Sequence, residues 1–197
     1  HENTSWDAYR FEVSAHRWVR LENASRSWAI ANDATYGWDV TRHQNDRRGT
    51  WSQVRATLVK SARFPDPDQD QGQHQWNFRI VPDASVLEAV AAGQQINLGE
   101  REVSGAPVDA PFSVSGAVVE SVALAPDRSG DLVIRLYEAE GGPSRVTFRA
   151  PKAGSVTACD LRYRPSESEP ELRGGQGEWS FDLSAFQITT LRVSFAK

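Results

Sequence analysis

Glu178-Trp179-Ser180-Phe181-Asp182-Leu183 alternates apolar and polar residues without a break. Successive side chains of a strand point to opposite faces, so Trp179, Phe181 and Leu183 line one face of a half-buried β-strand. Ile188 to Phe195 repeats the pattern through Leu191, Val193 and Phe195. Working outward, short apolar runs recur at fairly even spacing over Phe112–Val114, Val118–Leu124, Leu132–Tyr137, Arg145–Arg149 and Ser155–Leu161. Turn chemistry separates them at Pro126-Asp127, Gly141-Gly142-Pro143, Pro151 and Gly174-Gly175. Even spacing with punctuating turns predicts an antiparallel β-sandwich.

Upstream, Glu100 to Pro111 is a Gly- and Pro-containing connector, which divides the chain into lobes 1–103 and 104–197. In the first lobe, Phe11 to Leu21 reads as one strand with Phe11, Val13, Ala15, Val19 and Leu21 on one face and Arg17 interrupting it. Ser27–Ala31 follows, closed by Asn32-Asp33 and a Tyr36-Gly37 turn. Trp38–Thr41 is a short strand, Arg42 to Gly49 a charged loop, and Val54 to Leu58 a half-buried strand. His74, Trp76, Phe78 and Ile80 share one parity, which predicts a strand whose first inward residue is His74. Only Ser85–Ala92 changes period. Val86, Leu87, Val90 and Ala91 make a helical stripe, Ser85 is an N-cap with Glu88 three residues on, and Gly93 should end the helix. The expected fold class is all-β, an antiparallel sandwich region of two packed lobes with one short helix near 85–92.

The chain has 197 residues, with 26 Asp and Glu against 22 Lys and Arg, and no basic run. That balance argues against nucleic acid and against an anionic membrane surface as partners. No apolar stretch approaches the roughly 18 residues of a membrane span, and no secretory leader is visible. Cys159 is the only cysteine, so no internal disulfide can form; a reducing, cytoplasmic setting is expected, with Cys159 an inert buried thiol. Methionine is absent and the chain opens at His1 into a polar motif, so it is expected to be a piece of a longer protein.

Between two apolar runs lies Arg63-Phe64-Pro65-Asp66-Pro67-Asp68-Gln69-Asp70-Gln71-Gly72-Gln73-His74-Gln75-Trp76. Its prolines exclude a helix and a central strand. Loops of this density on a β scaffold are where binding groups sit, although such side chains also cap their own backbone. Asp66, Asp68 and Asp70 imitate the start of a calcium loop, but the glycine comes one place late and Asn77 stands where a bidentate glutamate belongs. His1, His16, His43 and His74 lack metal-site spacing. There is no GxSxG, P-loop or dinucleotide fingerprint, and no pair of carboxylates is set face to face by spacing. Hence no catalytic and no metal-ligating residue is assigned. Seven tryptophans, at 6, 18, 28, 38, 51, 76 and 179, raise a second class of function, a free-standing carbohydrate-binding module with aromatic platforms. Core filling is the simpler role for Trp18, Trp76 and Trp179; Trp6 and Trp38 lie in turn-like surroundings.

Four stretches carry a family likeness. They are His1-x-Asn3-Thr4-Ser5-Trp6-Asp7-x-x-x-Phe11-Glu12 with His16-Arg17-Trp18; Ala31-Asn32-Asp33-Ala34-Thr35-Tyr36-Gly37-Trp38-Asp39; Ser61 to Pro67 with Asp70-Gln71-Gly72-x-His74; and Leu136-Tyr137-Glu138-Ala139 with Phe186-Gln187-Ile188-Thr189-Thr190-Leu191. In this order they resemble the α-mannosidases of glycoside hydrolase family 38, of bacterial type. Ala34-Thr35 and Ala62-Arg63-Phe64 depart from the family pattern at positions with no evident chemical role.

The resemblance implies the C-terminal β region of a retaining α-mannosidase. Its aspartate nucleophile and its zinc would belong to an N-terminal catalytic domain absent from this chain, so the chain alone should be silent. The implied partners are that catalytic domain and a mannose-containing glycan. A docking face left open would favour self-association, so a homo-oligomer is also among the expectations. The implied substrate contacts come from Asp70, Gln71, Gly72 and His74, with His1 and Asn3 of the opening segment as a second group.

Overall fold

The structure, a computed structural model, describes residues 12–47, 49–100, 102–106 and 109–195. The chain divides into two compact units that meet between Glu102 and Val103. Among the described residues there are fourteen strands and one helix, and every strand pair is antiparallel. The expected all-β class with a single helix holds.

The first unit contains β1 (Val13–Ser14), β2 (Trp18–Glu22), β3 (Ser27–Asn32), β4 (Gly37–Asn45), β5 (Gly49–Ala56), β6 (Phe78–Pro82) and the helix α1 (Val86–Asn97). They form two three-stranded sheets, ordered β1-β4-β5 and β2-β3-β6. The helix lies against β2, β3 and β6. Ala29, Ala84 and Ala89 are fully buried there, with Trp18 and Val81 packed around them. Alanines at this face let the helix approach the sheet closely, and each removes little apolar area from water.

The helix starts as its sequence dictates. Ser85 Oγ accepts from the Glu88 N–H at 3.2 Å, and Glu88 Oε2 accepts from the Ser85 N–H at 2.8 Å, a reciprocal capping box. It does not stop at Gly93. A Cβ there would come within 2.9 Å of Trp18 Cδ1, so the glycine marks a close approach to β2 rather than a helix end. Asn97, in the last turn, donates from Nδ2 to Gly93 O and Asn32 O, both at 2.8 Å. The buried face is Ala89, Val90, Ala92 and Gly93, whereas Leu87 and Ala91 of the expected stripe are exposed.

Three further expectations in this unit are corrected. The strand expected over Phe11 to Leu21 is broken into β1 and β2, because Arg17 adopts a positive φ of 68° and turns the chain. The charged loop expected from Arg42 to Gly49 is mostly strand. β4 and β5 pair from Trp38↔Ala56 to Asn45↔Gly49, and their cross-strand contacts include Asp39 with Arg55 and His43 with Trp51. Cross-strand pairing overrides a composition that by itself reads as solvated. Trp38, in turn-like surroundings by sequence, is 1% exposed on β4.

The second unit holds β7 (Ser113–Ser115), β8 (Val118–Leu124), β9 (Leu132–Tyr137), β10 (Ser144–Arg149), β11 (Ala153–Cys159), β12 (Arg173–Gly175), β13 (Glu178–Leu183) and β14 (Ile188–Phe195). Two four-stranded sheets result, β12-β13-β10-β7 and β11-β14-β9-β8. Val146, Phe148, Trp179, Phe181 and Leu183 of the first share one core with Ile134, Leu136, Leu191 and Val193 of the second. Register explains the sharing: Val146↔Phe181 and Phe148↔Trp179 put four apolar side chains on one face, as does Ile134↔Leu191 across the sandwich. Burying Phe148 and Phe181 contributes roughly 1.5–3 kcal/mol each. β12 is a correction, since Gly174-Gly175 reads as a turn by sequence. A Cβ on Gly174 would fall 2.5 Å from Glu178 O, so the glycine permits the close approach of β12 to β13.

Polar groups secure the turns of this sandwich. Glu138 accepts from the amides of Glu140 (2.6 Å), Gly141 (2.9 Å) and Phe186 (2.9 Å), and the Phe186 amide leads in holding its carboxyl below the ordinary value. Ser129 first, and then Arg192, hold Asp127 at about 2. Cys159 is 1% exposed and burial pushes its thiol up, which removes the thiolate a nucleophile needs.

Candidate functional site

The loop between β5 and β6 is folded on itself by its own polar side chains. Asp66 Oδ1 accepts from the Asp68 N–H at 2.9 Å, and Asp70 Oδ2 accepts from the Ser61 N–H at 3.1 Å. Gln69 Nε2 donates to Ala62 O at 2.5 Å. Asp70 at φ 60° and Gly72 at φ 117° turn the chain at the loop's far end, where aspartate tolerates the left-handed region and glycine occupies it freely. His74 Nε2 lies 3.0 Å from Asp70 O, and its ring stacks on Trp76 with centroids 5.3 Å apart. The loop is anchored at its exit by Asp33, which accepts from Asn77 N (3.0 Å) and Nδ2 (2.6 Å). These bonds, the Asn77 amide first, hold the Asp33 carboxyl low.

Asp70, Gln71, Gly72 and His74 are thus brought together, and all four are exposed. His74 is not the first inward residue of a strand; β6 begins at Phe78, and His74 and Trp76 belong to the loop. His1 and Asn3 lie outside the described residues.

What the loop borders is a cleft of about 610 Å³, lined by Asp70 of the expected group and otherwise mostly by residues that sequence did not assign to a site. Its lining combines one wall formed by the consecutive residues Thr35, Tyr36 and Gly37 with Glu12, Thr57, Lys60, Gln69 and Asp70. Asn32 builds that wall: its Oδ1 accepts from the Ala34 N–H (3.1 Å) and the Thr35 N–H (2.7 Å). The Thr35 hydroxyl donates to Thr57 O, and the Thr57 N–H donates to Gly37 O at 2.9 Å, which ties that wall to Thr57. Glu12 accepts from the Thr57 hydroxyl and from Lys60 Nζ at 2.9 Å; both, the hydroxyl first, lower its carboxyl pKa. Gly37 is required for that arrangement, since a Cβ would sit 2.3 Å from Glu12 Oε1. By sequence Glu12 falls on a strand's polar face and Tyr36 in a turn. The available sign was an aromatic three residues beyond the Asn32-Asp33 turn.

Chemically, the cleft offers an ion pair, a second carboxylate, a hydroxyl, an amide and an aromatic ring, a set that can both donate and accept hydrogen bonds. Zinc does not fit the residues present. The described histidines each stack on a different ring, His16 on Tyr36, His43 on Trp51 and His74 on Trp76. Among the described residues, no three of His, Cys, Asp and Glu gather in a way that holds a metal ion. Nor is any helix of the described residues long and apolar enough to cross a membrane.

Comparison with known proteins agrees with the likeness read from the motifs. Residues 1–68 match the glycosyl hydrolases family 38 C-terminal domain, and residues 116–191 match the family's C-terminal beta sandwich domain. Alpha-mannosidase 2C1 of Homo sapiens is 34% identical over 97% of this chain and 19% of its own length. Alpha-mannosidase G of Dictyostelium discoideum is 28% identical over 98% of the chain and 18% of its own length. For Alpha-mannosidase of Saccharomyces cerevisiae the figures are 28%, 99% and 20%. The chain therefore spans about a fifth of the length of the curated relatives it matches. With its β-sandwich and both matched segments in order, the chain belongs to glycosyl hydrolase family 38, as the C-terminal region of that family.

Proposed function

We propose that this chain works as the C-terminal part of an α-mannosidase that releases terminal α-mannose from glycans with retention of configuration. The observation that carries this is the match of nearly the whole chain to a small fraction of much longer proteins named as alpha-mannosidases. The nucleophile and the zinc are assigned to the preceding catalytic domain, on which this region packs, and the chain alone is inactive. A cytoplasmic setting accompanies the proposal, in keeping with one buried thiol that has no second cysteine to join. Self-association through a surface meant for the catalytic domain is part of the same picture.

Within that enzyme the Asp70–His74 loop contacts substrate. Asp70 spends Oδ2 on the Ser61 amide, which fixes the carboxylate and leaves Oδ1 to accept from a sugar hydroxyl. Gly72 lets the backbone approach the ligand, and Gln71 and His74 present exposed polar groups beside it.

Hydrolysis of an aryl α-mannoside tests both parts. The full-length enzyme turns over, the chain with added zinc does not, and Asp70→Ala in the full-length enzyme lowers kcat/KM by about tenfold or more, some 1.4 kcal/mol. Activity in the chain alone overturns the placement of the catalytic groups. Unchanged kinetics in Asp70→Ala removes the loop from the substrate.

A further inference from the structure

Tyr36 is the part of the cleft that the acidic loop does not explain. Its side chain is 57% exposed, yet its surroundings are fixed. The Ala15 N–H donates to Tyr36 O at 2.9 Å, the neighbouring Thr35 is buried and bonded to Thr57, and Gly37 O accepts from the Thr57 N–H. The ring itself is held by His16, whose imidazole stacks on it with centroids 5.1 Å apart and planes 20° from parallel. With one face against the imidazole and more than half of its surface in solvent, the phenol turns its other face outward. Large aromatic rings ordinarily gain by burying such area, so a rigid ring displayed beside a polar cleft is a prepared contact surface.

The chemistry that lines the same cleft as the ring narrows the ligand. Glu12 and Lys60 form an ion pair at 2.9 Å, Thr57 adds a hydroxyl, and Gln69 and Asp70 add an amide and a carboxylate, all lining the same volume. Glu12 and Asp70 stand against Lys60 alone, so the lining mixes both signs with one carboxylate in excess, which does not suit a polyanion. A pyranose fits this layout, because it has a C–H face for the ring and a rim of hydroxyls that both donate and accept. The volume of about 610 Å³ lies within the range of small-ligand sites.

We propose that Tyr36 is the stacking platform for one hexopyranose unit of the glycan, with Glu12 and Lys60 as partners for its hydroxyls, and that this contact sets the sugar specificity of the cleft. The proposal rests on the substrate-contact role given to the acidic loop and adds to it a ring-on-ring contact within the same cleft.

The test compares Tyr36→Ala, Tyr36→Phe and Asp70→Ala in the full-length enzyme with an α-linked mannose disaccharide as substrate. Tyr36→Ala is expected to raise KM about tenfold with kcat within about threefold, and Tyr36→Phe to stay within about twofold of wild type, since the ring remains. The unfolding midpoint of both Tyr36 variants should match wild type, because the side chain is exposed. Wild-type kinetics in Tyr36→Ala together with a loss in Asp70→Ala overturns the platform and leaves the loop's role standing. Wild-type kinetics in both removes the whole cleft from the substrate. Equal losses in Tyr36→Ala and Tyr36→Phe place the effect on the phenol hydroxyl and overturn stacking.

Discussion

In the second unit, Phe148, Trp179, Phe181 and Leu183 share one apolar core with Ile134, Leu136, Leu191 and Val193, and polar bonds lie at the turns and on the outer faces. In the first unit, the buried cluster under the helix is made of Ala29, Ala84 and Ala89, and much of the cross-linking is polar. Asn32 caps Ala34 and Thr35, Thr35 reaches Thr57, Glu12 joins Thr57 to Lys60, and Asp33 holds Asn77. Hydrophobic burial is non-directional and favours closure, whereas hydrogen bonds fix direction at modest net gain. A cleft must stay open with its side chains aimed, so the unit that carries it is held by directional bonds and the other by volume.

That contrast breaks most readily at Phe181. Phe181→Ala should cost about 3–5 kcal/mol in urea unfolding, because the aromatic is wholly enclosed by two sheets that cannot collapse onto the gap. A loss below about 1 kcal/mol would mean that the shared core is not what holds the sandwich. Asn32→Ala is a smaller and more local lesion. Two amides inside the first unit lose their acceptor, for about 2 kcal/mol, and hydrogen exchange should quicken at residues 33–37 while β13 stays protected. Exchange that quickens equally in both units would erase the distinction.

The smallest effect belongs to the half-exposed network around Arg192, which bonds Asp127 and Asp131 at 2.7 Å each. Asp127 is lowered from 3.8 to about 2, so its contribution is complete above pH 4 and is lost as pH falls through its folded value. The thermal midpoint of the second unit should therefore drop between pH 4 and 2, and Arg192→Met should flatten that dependence. An unchanged slope would mean that the Ser129 bonds alone hold Asp127 or that other carboxylates carry the acid sensitivity.

Sequence legibility followed the same division. β8, β9, β13 and β14 begin and end where apolar runs and turn residues put them, and β13 shows the period two of a strand with one face in the core most cleanly. β4 and β5 were illegible beyond Thr41. Their outer halves, Arg42 to Asn45 and Gly49 to Gln53, carry Trp51 as their one large apolar side chain, and they are strands because each pairs with the other. Gly93 misled for a related reason, since its lack of a side chain serves Trp18, a contact 75 positions away in sequence that no local rule sees. As for the site, the loop of Asp70, Gln71, Gly72 and His74 was legible as a dense polar segment. Glu12, Tyr36 and Lys60 were not, because what gathers them around one cleft is the bonding of Thr35 and Gly37 to Thr57.

The tryptophans are divided as unevenly as the bonding. Six of the seven, at 6, 18, 28, 38, 51 and 76, precede the junction at Glu102, and Trp179 alone follows it. Ultraviolet-excited emission from this protein is accordingly a report on the first unit. Trp38, at 1% exposure, should emit toward the blue, and Trp28, at 41%, toward the red. The half of the molecule that carries the cleft is optically bright and the half that carries the large core is nearly dark, so a single cuvette follows the cleft side with no label attached.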